Sequence, residues 1–147
     1  MACHTHTSRC AAEAACSTGS ALTCRSAEIG AVLSGDALRR LEQEVLPDYL
    51  PLQRWFGGKD EAISGVQIED AVRLQAGPVP IYLTLLGVRS EAEDTLYVMP
   101  LMISYDDEIE RILRDCRHAA IAWVDGPEGR GLLHDATVRS DFWLKLF

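Results

Sequence analysis

The sequence predicts an α+β fold: an amphipathic helix packed on an antiparallel sheet, with further short helices. Three observations carry this. Leu38, Leu41 and Val45 recur at helical spacing on one stripe. Later segments alternate in the manner of strands, and two of them are joined by a short acidic loop. Between helix and strands lies LPDYLPLQRWFGGK, residues 46–59, the densest cluster of proline, aromatic and glycine residues in the chain.

The bulk numbers allow such a domain and narrow its partners. The chain has 147 residues, 48% of them apolar, enough for one packed core. Its formal net charge is −8. Before Ser26 the only charges are Arg9, Glu13 and Arg25, so the acidic excess belongs to the body. An acidic body argues against nucleic acid or an anionic membrane as partner. No run approaches the ~18 apolar residues of a membrane span. The five cysteines are odd in number and contain no CxxC pair, which disfavours a disulfide framework. No basic start precedes an apolar run, so nothing resembles a secretory signal. A reduced, cytoplasmic location is the expectation.

Taken in order, residues 1–33 predict a disordered leader, because Ala, Ser, Thr and Cys bury too little surface to offset their ordering entropy. Cys3, His4, His6 and Cys10 do not have the spacing of a zinc site. The ordered domain is expected over 34–147. Asp36 is a candidate N-cap, and Pro47 is expected to end the first helix by disfavouring helical geometry at Leu46. Pro51 suits the first position of a short helical turn.

Trp55 and Phe56 are neighbours, which suits one core ring and one rim ring better than a ligand stack. If Trp55 is core, Trp55→Ala should cost about 3–5 kcal/mol. Arg54 can reach a carboxylate or backbone carbonyls. Gly57 and Gly58 permit positive φ and a sharp reversal. Lys59 lacks the GxxxxGK(S/T) spacing of a phosphate loop, so the segment predicts a helix-to-strand corner and no direct ligand site.

Residues 63–74 alternate with an irregularity at Glu69 and Asp70, as a bulge would give. Gly77-Pro78 marks a turn. Residues 81–88 and 95–103 form the clearest hairpin, through the loop at 90–94, with Pro100 marking an edge or bulge. Ser104 and Asp107 have capping-box spacing. Asp106, Asp107 and Glu108 start a helix, with Arg114 and Arg117 toward its end. The triplet reads as a helix start and not as a metal site. Ile109, Ile112, Leu113 and Cys116 form its apolar stripe, Cys116 as a small core residue. Residues 119–124 and 131–134 form a second hairpin around Gly126-Pro127-Glu128-Gly129, whose spacing does not fit a GxGxxG nucleotide loop. Ser140 or Asp141 caps a last helix bearing Phe142, Trp143, Leu144, Leu146 and Phe147.

The lead-in LPDYLP followed by Gln53, Arg54, Trp55, Phe56, Gly57, Gly58 and Lys59 resembles the signature of the N-terminal cap domain of maltokinases, which are often fused to trehalose synthase. A second motif agrees in order and spacing: Gly131-Leu132-Leu133-His134-Asp135-Ala136, with Phe142 and Leu146 beyond. His134 departs from the aromatic residue, often Tyr, of that pattern. The resemblance spans roughly 36–147. It implies a curved, cystatin-like sheet. It also implies the cap portion of an ATP-dependent kinase that makes maltose 1-phosphate for α-glucan and glycogen synthesis. Such kinases resemble the aminoglycoside-kinase and protein-kinase-like group, with a strand lysine, a catalytic aspartate and a metal-binding aspartate. Neither an H-x-D followed by Asn nor a D-x-D element occurs here, and the chain contains no Asn. No catalytic, cofactor-binding or metal residue is therefore assigned. ATP and Mg2+ are expected only in the complete kinase. The implied partner is the kinase lobes, of the same enzyme or a separate chain, met through the C-terminal apolar helix. A stand-alone interaction module and a truncated, inactive fragment are the alternatives.

Overall fold

A curled sheet of six strands carries the molecule, in the order β1-β5-β6-β4-β3-β2. The computed structural model describes residues 21–25, 28–74 and 78–147. The strands are β1 (Leu22–Thr23), β2 (Ile63–Leu74), β3 (Ile81–Ser90), β4 (Asp94–Ser104), β5 (Ala120–Gly126) and β6 (Gly129–Asp135). The helices are α1 (Ile29–Val32), α2 (residues 35–52), α3 (Asp107–Asp115) and α4 (Ser140–Leu146). All strand pairs are antiparallel except β1, which runs parallel to β5 with Leu22 opposite Val124. The expected antiparallel sheet is thus mixed at one edge.

Described elements begin at Leu22, ahead of Ser34. Leu22 is fully buried, and the Cys24 amide donates to the Asp125 carbonyl at 2.9 Å. The leader prediction for residues 1–20, the Cys3 to Cys10 cluster and Gly77 of the expected turn lie outside the described residues.

The helix α2 does not end at Pro47. Its winding changes instead: α over Gly35–Arg40, a π turn over Leu41–Val45, α again over Leu46–Tyr49, and 3-10 over Leu50–Leu52. Pro47 and Pro51 each fall in the first positions of a new segment, so each missing amide proton coincides with a change of winding and not with the middle of a regular turn. The rewinding places Ala37, Leu41, Val45, Leu46, Tyr49 and Leu50 against the sheet, while Leu38 is only half-buried. Asp36 is not the N-cap. Ser34 holds that position without a side-chain bond, Gly35 follows at φ 58°, and Asp36 pairs with Arg39.

This helix and α1 cover one sheet face. Leu86, Val88, Met99, Leu101, Ile103, Leu133 and Val124 supply the strands' share of that core. Edge strand β2 is guarded. The Ile68 amide donates to Glu42 of α2 at 2.8 Å, and the Ala71 amide to Asp70 at 2.8 Å. The expected bulge falls between Ile68 and Asp70. A bulge and acidic side chains on outward amides discourage another strand from adding there.

Pro100 lies inside β4, a strand with neighbours on both sides, opposite Leu83. Pairing to β6 starts only at Leu101, so the proline stands where β4 ceases to be a local edge.

The opposite face is partly covered. Ile112 of α3 packs with Ala120 and Leu132, and Phe142 of α4 with Ile81, Met102 and Ala136. The capping box before α3 does not form. Ser104 stays in β4 and its hydroxyl bonds His134, while Asp106, at φ 50°, turns the chain into the helix. Asp107, Glu108 and Arg114 take their expected ends of α3, whereas Arg117 begins a separate 3-10 turn. Arg139, and not Ser140 or Asp141, is the residue before α4, and its guanidinium grips Asp141 at 2.9 and 3.0 Å. No described helix is long and apolar enough to cross a membrane.

Candidate functional site

The corner after α2 is built from rings packed around missing side chains. The Gln53 amide donates back to the Leu50 carbonyl at 3.0 Å, and Phe56 to the Gln53 carbonyl at 3.3 Å, which folds the chain over itself. The buried Gln53 side chain donates to the Tyr49 carbonyl at 3.2 Å. Phe56 is buried, with its ring centroid 5.2 Å from that of Tyr97. Trp55 lies outside it, 43% exposed, at 5.7 Å from Tyr97 and edge-on to Phe56 at 6.4 Å. One ring is core and its neighbour is rim, so the cost expected for a core Trp55 does not apply.

Neither Gly57 nor Gly58 adopts positive φ. What the corner requires is space. A Cβ at Gly58 would stand 3.3 Å from the Phe56 ring, and one at Gly57 would stand 3.5 Å from the Tyr97 hydroxyl. Beneath them Phe56, Tyr97, Glu61 and Glu93 line a groove of about 180 Å3. Arg54 and Lys59 are exposed and make no ion pair with a described residue.

The second motif sits at the far end of β6. Asp135 is buried and its carboxylate accepts the Thr137 amide at 2.8 Å, capping a 3-10 turn. Ala136 is fully buried within the Phe142 cluster, where a longer side chain would displace Phe142 or Met102. Tyr49 joins the two motifs. Its hydroxyl is buried without a hydrogen-bond partner, and its pKa is pushed upward by burial first and by the Asp135 charge second. Tyr49 belongs to the LPDYLP lead-in, but its burial against the second motif is not visible in the sequence.

His134 is fully buried, and both ring nitrogens are engaged. Nδ1–H donates to the Asp135 carbonyl at 2.9 Å, which leaves Nε2 to accept the Ser104 hydroxyl at 2.8 Å. Burial holds its pKa below the usual histidine range, and the Arg139 charge adds to this. An imidazole so held is a structural hydrogen-bond hub with no open nitrogen. Among the described residues no three His, Cys, Asp or Glu side chains converge on a metal position. Glu108, from the acidic start of α3, pairs with Arg139 and Arg111.

A family model described as the maltokinase N-terminal cap domain matches residues 49–138. No curated protein and no solved structure matches the chain. The matched span runs from the last turns of α2, through β2 to β6, to the turn capped by Asp135.

Proposed function

The chain belongs to the maltokinase N-terminal cap domain family, and from that premise we propose that it is the non-catalytic cap portion of an ATP-dependent maltose kinase. The complete enzyme makes maltose 1-phosphate for α-glucan synthesis in the cytoplasm, with ATP and Mg2+ held by its kinase lobes. The match across 49–138 is the observation that carries this. The cap docks on those lobes through α4. Trp143, Leu144, Leu146 and Phe147 are exposed on or just beyond that helix, an apolar surface of the kind that marks an interaction site. Docked there, the cap shapes or gates the nucleotide lobe as lids do elsewhere. The same surface would serve a stand-alone interaction module, so the test must separate the two.

The chain alone, given ATP, Mg2+ and maltose, is expected to form no maltose 1-phosphate. Kinase lobes from a member of the same family are expected to bind it, and Trp143→Ala with Leu146→Ala to weaken that binding. Sugar phosphate made by the chain alone would overturn the non-catalytic role. Lobes that ignore the chain, whether added in trans or fused in line, would leave only the interaction module.

A further inference from the structure

We propose that the groove beneath Gly57 and Gly58 is a binding site for an organic cation, a guanidinium or alkylammonium group on an apolar stem. The groove's volume, about 180 Å3, accommodates one such head group. One wall is aromatic: Phe56 and Tyr97, whose ring centroids are 5.2 Å apart at a 37° tilt. The other is acidic: Glu61 and Glu93. Ser90 ties the acidic wall together. Its hydroxyl lies 2.7 Å from Glu61 Oε2 and 2.8 Å from the Glu93 carbonyl, and it accepts the Glu93 amide at 3.2 Å.

Both carboxylates are exposed, and neither forms an ion pair with a described residue. One hydroxyl proton serves at most one lone pair of Glu61, and a carboxylate offers about four. The Glu93 carboxylate has no hydrogen bond or ion pair with a described residue. No Lys or Arg lines the groove, and Lys59, two positions before Glu61, forms no ion pair with a described residue. Aromatic quadrupoles and two carboxylates all favour a cation. A neutral ligand gains only the apolar wall, and an anion is repelled. The glycines keep the entrance open, since a Cβ at Gly58 would press on the Phe56 ring at 3.3 Å. The site is independent of the kinase assignment.

The test is a titration of the full 147-residue chain, following the amide shifts of Gly57, Gly58 and Glu93 by NMR. Methylguanidinium and butylammonium are expected to give saturable shifts, while 1-butanol and butyrate give none. The double variant Glu61→Gln, Glu93→Gln should weaken cation binding by about tenfold or more. Glu91→Gln, in the same loop but outside the groove, should leave it unchanged. Superimposable melting curves verify that the double variant folds. A blocked arginine peptide distinguishes the source. Tighter binding than methylguanidinium assigns the cation to a partner protein's side chain, equal binding to a free small molecule, and both uphold the site. Butanol binding as tightly as butylammonium, or cation binding unaffected by the double variant, would overturn it.

Discussion

His134 shows how far one buried side chain can govern the response of the fold to acid. In the neutral ring Nδ1–H donates to the Asp135 carbonyl and Nε2 accepts from the Ser104 hydroxyl. Protonation would force that hydroxyl to turn away and would place a charge in a fully buried position near Arg139. The folded pKa is therefore depressed, while the unfolded chain titrates near the ordinary value of about 6.5. Above that value both states are neutral and the full stability is present. Below it the unfolded chain takes up the proton first, so stability falls with pH until the folded group also titrates. The urea midpoint should drop between pH 7.5 and 5, with a slope that reaches about 1.4 kcal/mol per pH unit for one proton. His134→Gln should flatten that segment, whatever its effect on absolute stability. An equally steep fall in the variant would assign the acid response to other groups.

At the scale of elements, the corner after α2 divides its two rings between core and rim. Phe56→Ala empties a buried site and should cost about 3–5 kcal/mol. Trp55 keeps much of its ring in solvent, and Trp55→Ala should cost about 1–2 kcal/mol. Chemical denaturation of the two variants side by side measures the difference, and equal losses would place both rings in the core. The strands were legible from sequence because their period of two survives folding: the loop at 90–94, the bulge before Asp70 and the turn at Pro127-Glu128 all occur as expected. The helix was less so. A proline reads locally as a stop, and nothing local reveals that a π turn lets the winding restart at Pro47. The Ser104–His134 bond was invisible for a related reason. Its partners are 30 residues apart and meet only through the β4–β6 register. Of the candidate site, the glycines and rings could be named in advance, but the acidic wall of the groove could not. Ser90 meets the Glu93 backbone within the loop, but Glu61 reaches Ser90 from 29 residues away, a link made by tertiary structure.

At the scale of the whole molecule, the sheet has two unequal faces. One is closed along its length by α1 and α2. The other is closed at one end by α3 and α4 and bare at the other, where Val72, Leu96 and Val98 are more than half exposed. Neighbouring strand residues that face opposite sides of the sheet should therefore differ sharply in what they contribute. Leu86 on β3 is fully buried beneath the helical layer, so Leu86→Ala should cost about 2–5 kcal/mol through lost contacts and a cavity. Leu96 stands opposite Gly87, the next residue along β3, but it points to the bare face, as does Val98. Leu96→Thr and Val98→Thr remove little buried surface and leave a β-branched residue at each strand position, so each should change stability by no more than about 0.5 kcal/mol. Urea unfolding of the three variants under one condition decides the matter. A large loss at Leu96 or Val98 would mean that something covers this face in solution, and its concentration dependence would show whether that cover is a second copy of the chain.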